Sequence, residues 1–386
     1  MRGREETQIG GNFSQISEVS LREGTVIRLG GLAPKYIFSS KSLQIPFDFF
    51  AMNNIPLLFC LFLLSYATLF GLPVEPTKIV FLHGDKSHGS GDHEFRAGSL
   101  LLANHLNKQD AVPVDAIVIA GWPADESVLN DAAAVVVYSD ATEVIENGWG
   151  KMDELMKNGV GCLMMHYAVH PKVSRGEESF LPWIGGYFKD GKSVNPFWAA
   201  EIEPNSEHET SAGVSRIHAV DEFYFNLEFS KGMIPFGTAT PSAENLIKIT
   251  NIWTDGGYSQ KGVPQTLLWG IERPEGGRGA GFTGGQNHEN WALDDYRKLI
   301  LNSIIWVAGL KVPKGGLPTP SVSEEELNEN LDDYGESTKR VRLPDPKPVV
   351  QEPEAWVKPS ELKEYRRQQR IKKREDLIRT RSKLDG

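Results

Sequence analysis

The chain has 386 residues, of which 40% are hydrophobic and 24% charged, and a formal charge of −10. These proportions exclude a disordered or collagen-like polypeptide, and the length sets a prior of about two to three domain-sized units. The acidic balance argues against nucleic acid as a partner, and two cysteines, Cys60 and Cys162, cannot build a disulfide framework or a Cys-rich zinc site.

Residues 1–51 have mixed composition. The one strongly apolar run is Ile55 to Phe70 (IPLLFCLFLLSYATLF), with no charge between Asp48 and Glu75. It falls short of the roughly 20 residues of a membrane-spanning helix, so residues 52–75 read as a signal peptide with Ser65-Tyr66-Ala67 as a small-x-small cleavage pattern. A leader of 51 residues is too long ahead of such a segment. Met52 is therefore the expected start, residues 1–51 are a doubtful extension, and the mature protein is expected to be exported, periplasmic or secreted. An uncleaved signal anchor is the alternative, and only then would a membrane be a partner.

Residues 76–311 read as one α/β domain. Lys78–Leu82 (KIVFL), Asp115–Ala120, Ala134–Ser139 and Gly161–Met165 are short apolar runs of the kind buried in parallel sheets. Between them, Phe95–Leu106 and Trp149–Lys157 carry helical spacing, and Asn158-Gly159 closes the second. The rhythm predicts a mostly parallel sheet with helices on both faces. Trp198–Glu203, Glu222–Phe229, Ile234–Thr240, Gln265–Ile271 and Arg278–Thr283 follow as further strands, then an amphipathic helix, Asp294–Ala308. Seven prolines punctuate residues 312–353, so residues 312–386 read as a Pro-rich linker and a basic, solvated C-terminal tail.

In such a sheet the site lies beyond the carboxyl ends of the strands. Six of the nine histidines fall there: His83, His88 and His93 after the first strand, His166 and His170 after the fourth, and His288 after the last. Histidine gathered with carboxylates suits proton transfer near neutral pH or a divalent metal such as zinc. The candidate catalytic residues are His88, His166, Glu222 and His288, with backbone-bonding histidines and a plain surface acid as the alternative reading; the candidate ligands of a metal are His88, His93 and His166. Tyr167, Asp221, Tyr224 and Asn287 are expected to bind substrate. If Glu222–Tyr224 is extended, Glu222 and Tyr224 share one face and Asp221 and Phe223 the other. Trp183, Trp198, Trp253 and Trp291 suit sugar stacking or core packing equally. Gly276-Gly277-Arg278-Gly279 resembles a phosphate cradle only superficially, and with no GxGxxG or GxxxxGK[ST] unit no nucleotide cofactor is expected.

Five blocks in order, SHGSGDHEF (Ser87–Phe95), GVGCLMMHYAVH (Gly159–His170), WIGGYF (Trp183–Phe188), DEFYF (Asp221–Phe225) and Gly277–Gly309, resemble the ThuA-like (trehalose utilisation) family, most closely its exported planctomycete-type members. Glu324–Asp332 (EEELNENLD) is similar to the tail of those members. The resemblance implies a flavodoxin-like, class I glutamine amidotransferase-like three-layer sandwich. It also implies carbohydrate processing, especially of keto-sugars and disaccharide derivatives, with His88, His166, Glu222, Asp221 and His288 at recurring polar positions. True amidotransferases carry a nucleophilic cysteine in the tight turn after a central strand. Here that turn reads His166-Tyr167-Ala168, and Cys162 falls within the strand. The expected function is acid–base chemistry by His and Glu (hydrolase, lyase or isomerase), on a small carbohydrate, with a non-catalytic sugar- or metal-binding module as the alternative. N-terminal sequencing of the native protein is expected to recover nothing upstream of Met52; a peptide containing Tyr36 or Phe47 would overturn that start.

Overall fold

The computed structural model describes residues 18–21 and 25–28 and, apart from 111, 249–254, 345–355 and 359, residues 75–384. These fall into two units divided after Leu72. In the first, Glu18–Leu21 pairs antiparallel with Thr25–Arg28. The apolar run and its cleavage pattern lie outside the described residues. Among the described residues no helix is long and apolar enough to cross a membrane.

The second unit is built on a ten-stranded sheet. Its strands are β1 (Thr77–His83), β2 (Val114–Ala120), β3 (Ala134–Tyr138), β4 (Gly161–Met165), β5 (Phe197–Pro204), β6 (Ile217–Asp221), β7 (Ile234–Ala239), β8 (Leu246–Lys248), β9 (Gln265–Glu272) and β10 (Arg278–Phe282). One half runs β2-β1-β3-β4-β10, parallel throughout. Counted along the chain this is the 2-1-3-4-5 order of doubly wound flavodoxin-like sheets, whose direction of winding reverses between β1 and β3. The other half continues antiparallel from β10 through β9, β7 and β5, with β6 and β8 both on β5. The fold is thus of the expected α/β class.

Both faces of the parallel half are buried, which is why its strands are continuous apolar runs rather than alternating ones. Ile79 and Phe81 of β1 pack with α1 (Phe95–Asn107) and α3 (Asp294–Val307), whereas Val80 and Leu82 pack with α2 (Trp149–Lys157). All four are wholly buried, each side chain contributing roughly 1.5–3 kcal/mol. Cys162 belongs to the α2 face as a buried small side chain.

Two boundaries depart from the sequence reading. Glu222–Phe229 is not one strand: β6 ends at Asp221, Phe225 makes a lone bridge to Val194, Asn226 turns into left-handed backbone (φ +57°), and Glu228–Phe229 pairs with Gly186–Tyr187. Residues 312–341 are not a linker. Val312, Leu317, Val322, Leu327 and Val341 join the core shared with β1, Leu317 N–H donates to Asn302 Oδ1 at 2.9 Å, and α4 (Glu324–Leu327) is capped by Ser323. The prolines at 313, 318 and 320 break regular structure locally but do not prevent burial, so the folded domain extends about thirty residues beyond 311. Past it, α5 (Leu362–Leu384) is the basic tail, and its described side chains are mostly exposed.

Close approach of α3 to β4 requires glycine at 161, where a Cβ would strike the Val307 carbonyl; Gly150 on α2 has nothing within 4 Å of such an atom. Gly161→Ala is therefore expected to lower the urea-measured stability by about 1–3 kcal/mol. Gly150→Ala is expected to raise it by up to about 1 kcal/mol, as helix propensity alone would have it. Equal effects from the two substitutions would refute this packing.

Candidate functional site

Three loops leave the carboxyl ends of β1, β3 and β4 beside the winding reversal, and each delivers a polar side chain to one point. The β1 loop brings His88 and His93, the residues after β3 bring Asp140, and the residue directly after β4 is His166. All three histidines sit in left-handed backbone, with φ of +62° at His88, +52° at His93 and +55° at His166. Non-glycine residues enter that region at a cost of about 1–2 kcal/mol each and remain only where their surroundings fix them.

A chain of hydrogen bonds fixes the protons. His166 is wholly buried, and its Nδ1 lies 2.9 Å from the Thr283 carbonyl, an acceptor only, so Nδ1–H donates. Burial foremost, then the neighbouring His93, push the His166 pKa down to about 3, so the ring is neutral and its Nε2 is an acceptor. Nε2 faces His93 Nε2 at 3.0 Å, Gln286 Oε1 at 3.0 Å and the Tyr224 hydroxyl at 3.3 Å, and a neutral ring requires the Gln286 amide to be turned so that its NH2 group donates. With that orientation His93 Nε2–H donates to His166 as well, and His93 Nδ1 faces the other way. That nitrogen lies 2.8 Å from Asp140 Oδ1 and 2.8 Å from Ser87 Oγ, and Ser87 Oγ also lies 3.0 Å from His88 Nδ1.

His88, His93 and Asp140 each offer a ligand atom, and these atoms lie within 4.8 Å of one another. Asp140 Oδ1 is buried and accepts no well-directed hydrogen bond among the described residues, despite the nearby ring. Burial disfavours its charge, yet the approach of His93 and Ser87 holds the carboxyl below the ordinary range. Two imidazole nitrogens with one carboxylate form a ligand set that suits zinc or a similar divalent ion. The residues fit the expected metal with one change of membership: His166 meets His93 on the far edge of its ring and orients it, while Asp140 completes the cluster.

Beside the cluster is a cavity of about 290 Å³ lined by His88, His93, Tyr167, His170, Phe188, Asn195, Glu222 and Tyr224. Glu222 is 6% exposed, and Asn195 Nδ2 donates to its Oε1 at 3.3 Å. Burial and the nearby Glu222 raise the Tyr224 pKa well above the ordinary range, so its hydroxyl keeps its proton. His170 Nε2 pairs with Asp190 Oδ1 at 2.8 Å. A larger cavity of about 550 Å³ opens at the amino ends of the strands beside Gly276 and Gly277. The Arg273 guanidinium there is occupied by the carbonyls of Val160, Trp183, Gly276 and Arg278, so the reactive groups lie at the smaller one.

The other expected residues take structural places. Asp221 does not reach the cavity: it is wholly buried and accepts from the amides of Glu222, Gly285 and Asn287, from Asn290 Nδ2 and from the Tyr296 hydroxyl. Asn287 spends its side chain on the Val220 carbonyl at 2.9 Å. His288 turns away from the cavity, and its Nε2–H donates to the Leu327 carbonyl at 3.0 Å. Trp183, Trp198 and Trp291 are core residues, and Trp253 lies outside the described residues. Glu222 and Tyr224 share the cavity face while Asp221 and Phe223 are buried behind it, as alternation predicts, although the segment is not a strand. Asp140, Asn195 and Phe188 escaped sequence reasoning. Asp140 was discoverable, since it directly follows the third predicted strand and the strand-end rule applies to it equally.

No protein-family model matches the chain, and no curated protein does. Among solved structures it is similar to a ThuA-like protein from Parabacteroides merdae ATCC 43184, with 16% identity, a TM-score of 0.44, and coverage of 66% of this chain and 100% of that one. It is also similar to a ThuA-like protein from Bacteroides uniformis ATCC 8492, with 14% identity, a TM-score of 0.44, and coverage of 61% and 95%.

Burial pushes the His288 pKa from 6.5 down to about 4, partly offset by its bond to Leu327. Between those values the unfolded chain binds a proton that the folded chain refuses, so stability falls as pH drops through the window. The slope from this residue is up to about 1.4 kcal/mol per pH unit. Urea unfolding from pH 6.5 to 4 is expected to show a shallower slope in His288→Gln, which keeps a donor for Leu327. Identical slopes in the two proteins would contradict the burial of a neutral ring.

Proposed function

We propose that the protein processes a carbohydrate in the ThuA-like manner, acting on a keto-sugar or disaccharide derivative by acid–base chemistry beside a divalent metal. The observation that carries this reading is the cluster of His88, His93 and Asp140, whose ligand atoms lie within 4.8 Å of one another while the far edge of the His93 ring meets His166. A ligating histidine whose other nitrogen donates to a fixed acceptor is the usual device for orienting a metal ligand. The cavity is at the lower end of small-molecule sites, which suits a sugar unit rather than a polymer.

Each residue has a defined task in this reading. His88, His93 and Asp140 hold the ion, which when bound supplies Lewis-acid polarisation of a sugar carbonyl. Glu222, in the lining of the same cavity and held by Asn195, is the base for a proton beside that carbonyl. Tyr224 keeps its proton and donates to a sugar oxygen, and Tyr167 and Phe188 supply flat apolar surface for the ring. The burial of Cys162, which raises its thiol to about 12, leaves no thiolate nucleophile there and favours a second reading, a sugar- or metal-binding module without catalysis.

Metal analysis and turnover of 3-keto-disaccharides separate these readings. Wild-type protein is expected to bind one divalent ion per chain, lost in His93→Ala and Asp140→Asn. Glu222→Gln is expected to retain the ion while kcat falls by about 10²–10⁴. Metal binding without turnover in the wild type would select the binding module. Absence of both metal and turnover would reject the proposal.

A further inference from the structure

The loop that carries His88 and His93 is held in a conformation its own residues resist. Left-handed backbone recurs at His88, Gly91 and His93, with φ of +62°, +92° and +52°. Two of these residues pay for a Cβ in that region, so outside contacts must fix them. The domain proper supplies two backbone bonds, His93 N–H to the Gln286 carbonyl and His288 N–H to the Gly91 carbonyl, both at 3.0 Å, and holds the His93 ring between His166 and Asp140.

The remaining tethers come from a segment more than two hundred residues away in sequence. The Tyr334 hydroxyl donates to the Ser87 carbonyl at 3.1 Å, and Lys86 Nζ to the Asp333 carbonyl. Lys86 also sits over the Tyr334 ring, 5.0 Å from its centroid. The Lys339 amide donates to Ser90 Oγ at 2.9 Å. Wholly buried Glu94 ties both chains together: Oε1 accepts from Gly91 N–H at 2.9 Å and Oε2 from Asp332 N–H at 2.7 Å. The segment is closed on itself by Asn328, whose side chain exchanges bonds with Val341 N–H and carbonyl at 2.8 and 2.7 Å. His288 joins its start, Leu327, to the same loop.

We propose that Leu327–Val341 is a strap that holds the ligand loop in its metal-binding conformation, with Tyr334 as its positioning residue. The metal part rests on the ligand set of the preceding subsection. Tyr334 touches neither His88 nor His93; it acts through Ser87, whose carbonyl it fixes and whose hydroxyl lies between the two imidazoles. The strap thereby makes the site depend on a part of the chain that supplies no ligand. Loss of one tether would loosen the ligand loop without dismantling the sheet beneath it.

Tyr334→Phe in the full chain removes the hydroxyl and keeps the ring beneath Lys86; Tyr365→Phe, on the exposed helix α5, is the control. Two measurements are made: Co²⁺ and Zn²⁺ affinity by chelator competition, and hydrogen exchange of the Gly91, Asp92 and His93 amides. Tyr334→Phe is expected to weaken metal binding about tenfold and to speed exchange about fivefold, the value of one hydrogen bond. The control is expected to change neither. Unchanged exchange overturns the strap whether or not metal binds, and faster exchange with unchanged affinity overturns the positioning role. Failure of the wild type to bind either ion defeats the metal reading, and the exchange comparison still decides the strap.

Discussion

A carboxylate sealed from water organises this site without entering it. Asp221 accepts five hydrogen bonds, four of them from residues of the 285–296 stretch: the Gly285 and Asn287 amides, Asn290 and Tyr296. Burial raises its pKa, and the amides of Gly285 and Asn287 work against the rise. Each donor would lose about 1–3 kcal/mol if stranded without a partner, so the network is secure while complete and costly when broken. Its product is a fixed path from β10 into α3. Thr283 and Gln286 lie on that path, and both meet His166. The order of dependence runs from Asp221 to the loop, from the loop to His166, and from His166 to the placement of the His93 ring.

The topology explains why these groups meet. Parallel strands wound in the order β2-β1-β3-β4-β10 open a crevice where the winding reverses, between β1 and β3. The β1 loop and Asp140 come from the two sides of that crevice, and His166 from the next strand along. Wholly buried strands beneath them give the loops a rigid base, against which left-handed backbone at three histidines is sustainable.

Much of this was legible from the chain alone because burial on both faces leaves a plain signature. KIVFL, AVVVY and GCLMM announce parallel strands, and the residues that follow them announce the site, which brought out His88, His93 and His166. Glu222 and Tyr224 were legible for a different reason: alternation in extended chain separates them from Asp221 and Phe223 whether or not a ladder forms. What escaped detection depends on distant partners. Nothing local distinguishes Asp221, which bonds a loop more than sixty residues away, from an ordinary catalytic acid. His288 looked equivalent to His166 at a strand end, but its acceptor is the carbonyl of Leu327, in a segment whose prolines suggested no core. Apolar residues at 312, 317, 322 and 327 were the available sign that this segment is buried.

The residue directly after β4 decides what chemistry the fold can offer. That position is sharply turned, and a reactive side chain placed there projects from the carboxyl edge of the sheet into the crevice. Here it is His166, and the nearest thiol, Cys162, is four residues back, buried in the strand with its pKa raised to about 12. A thiolate at the turn would attack substrate itself. An imidazole with Nδ1 committed to Thr283 and Nε2 to its neighbours instead acts on those neighbours, fixing the ring of His93. The groups of the proposed function accordingly centre on the cluster between the loops of β1 and β3. Glu222 and Tyr224 line the cavity beside that cluster. In the proposed function they serve the removal and return of a proton, a step that needs no covalent intermediate.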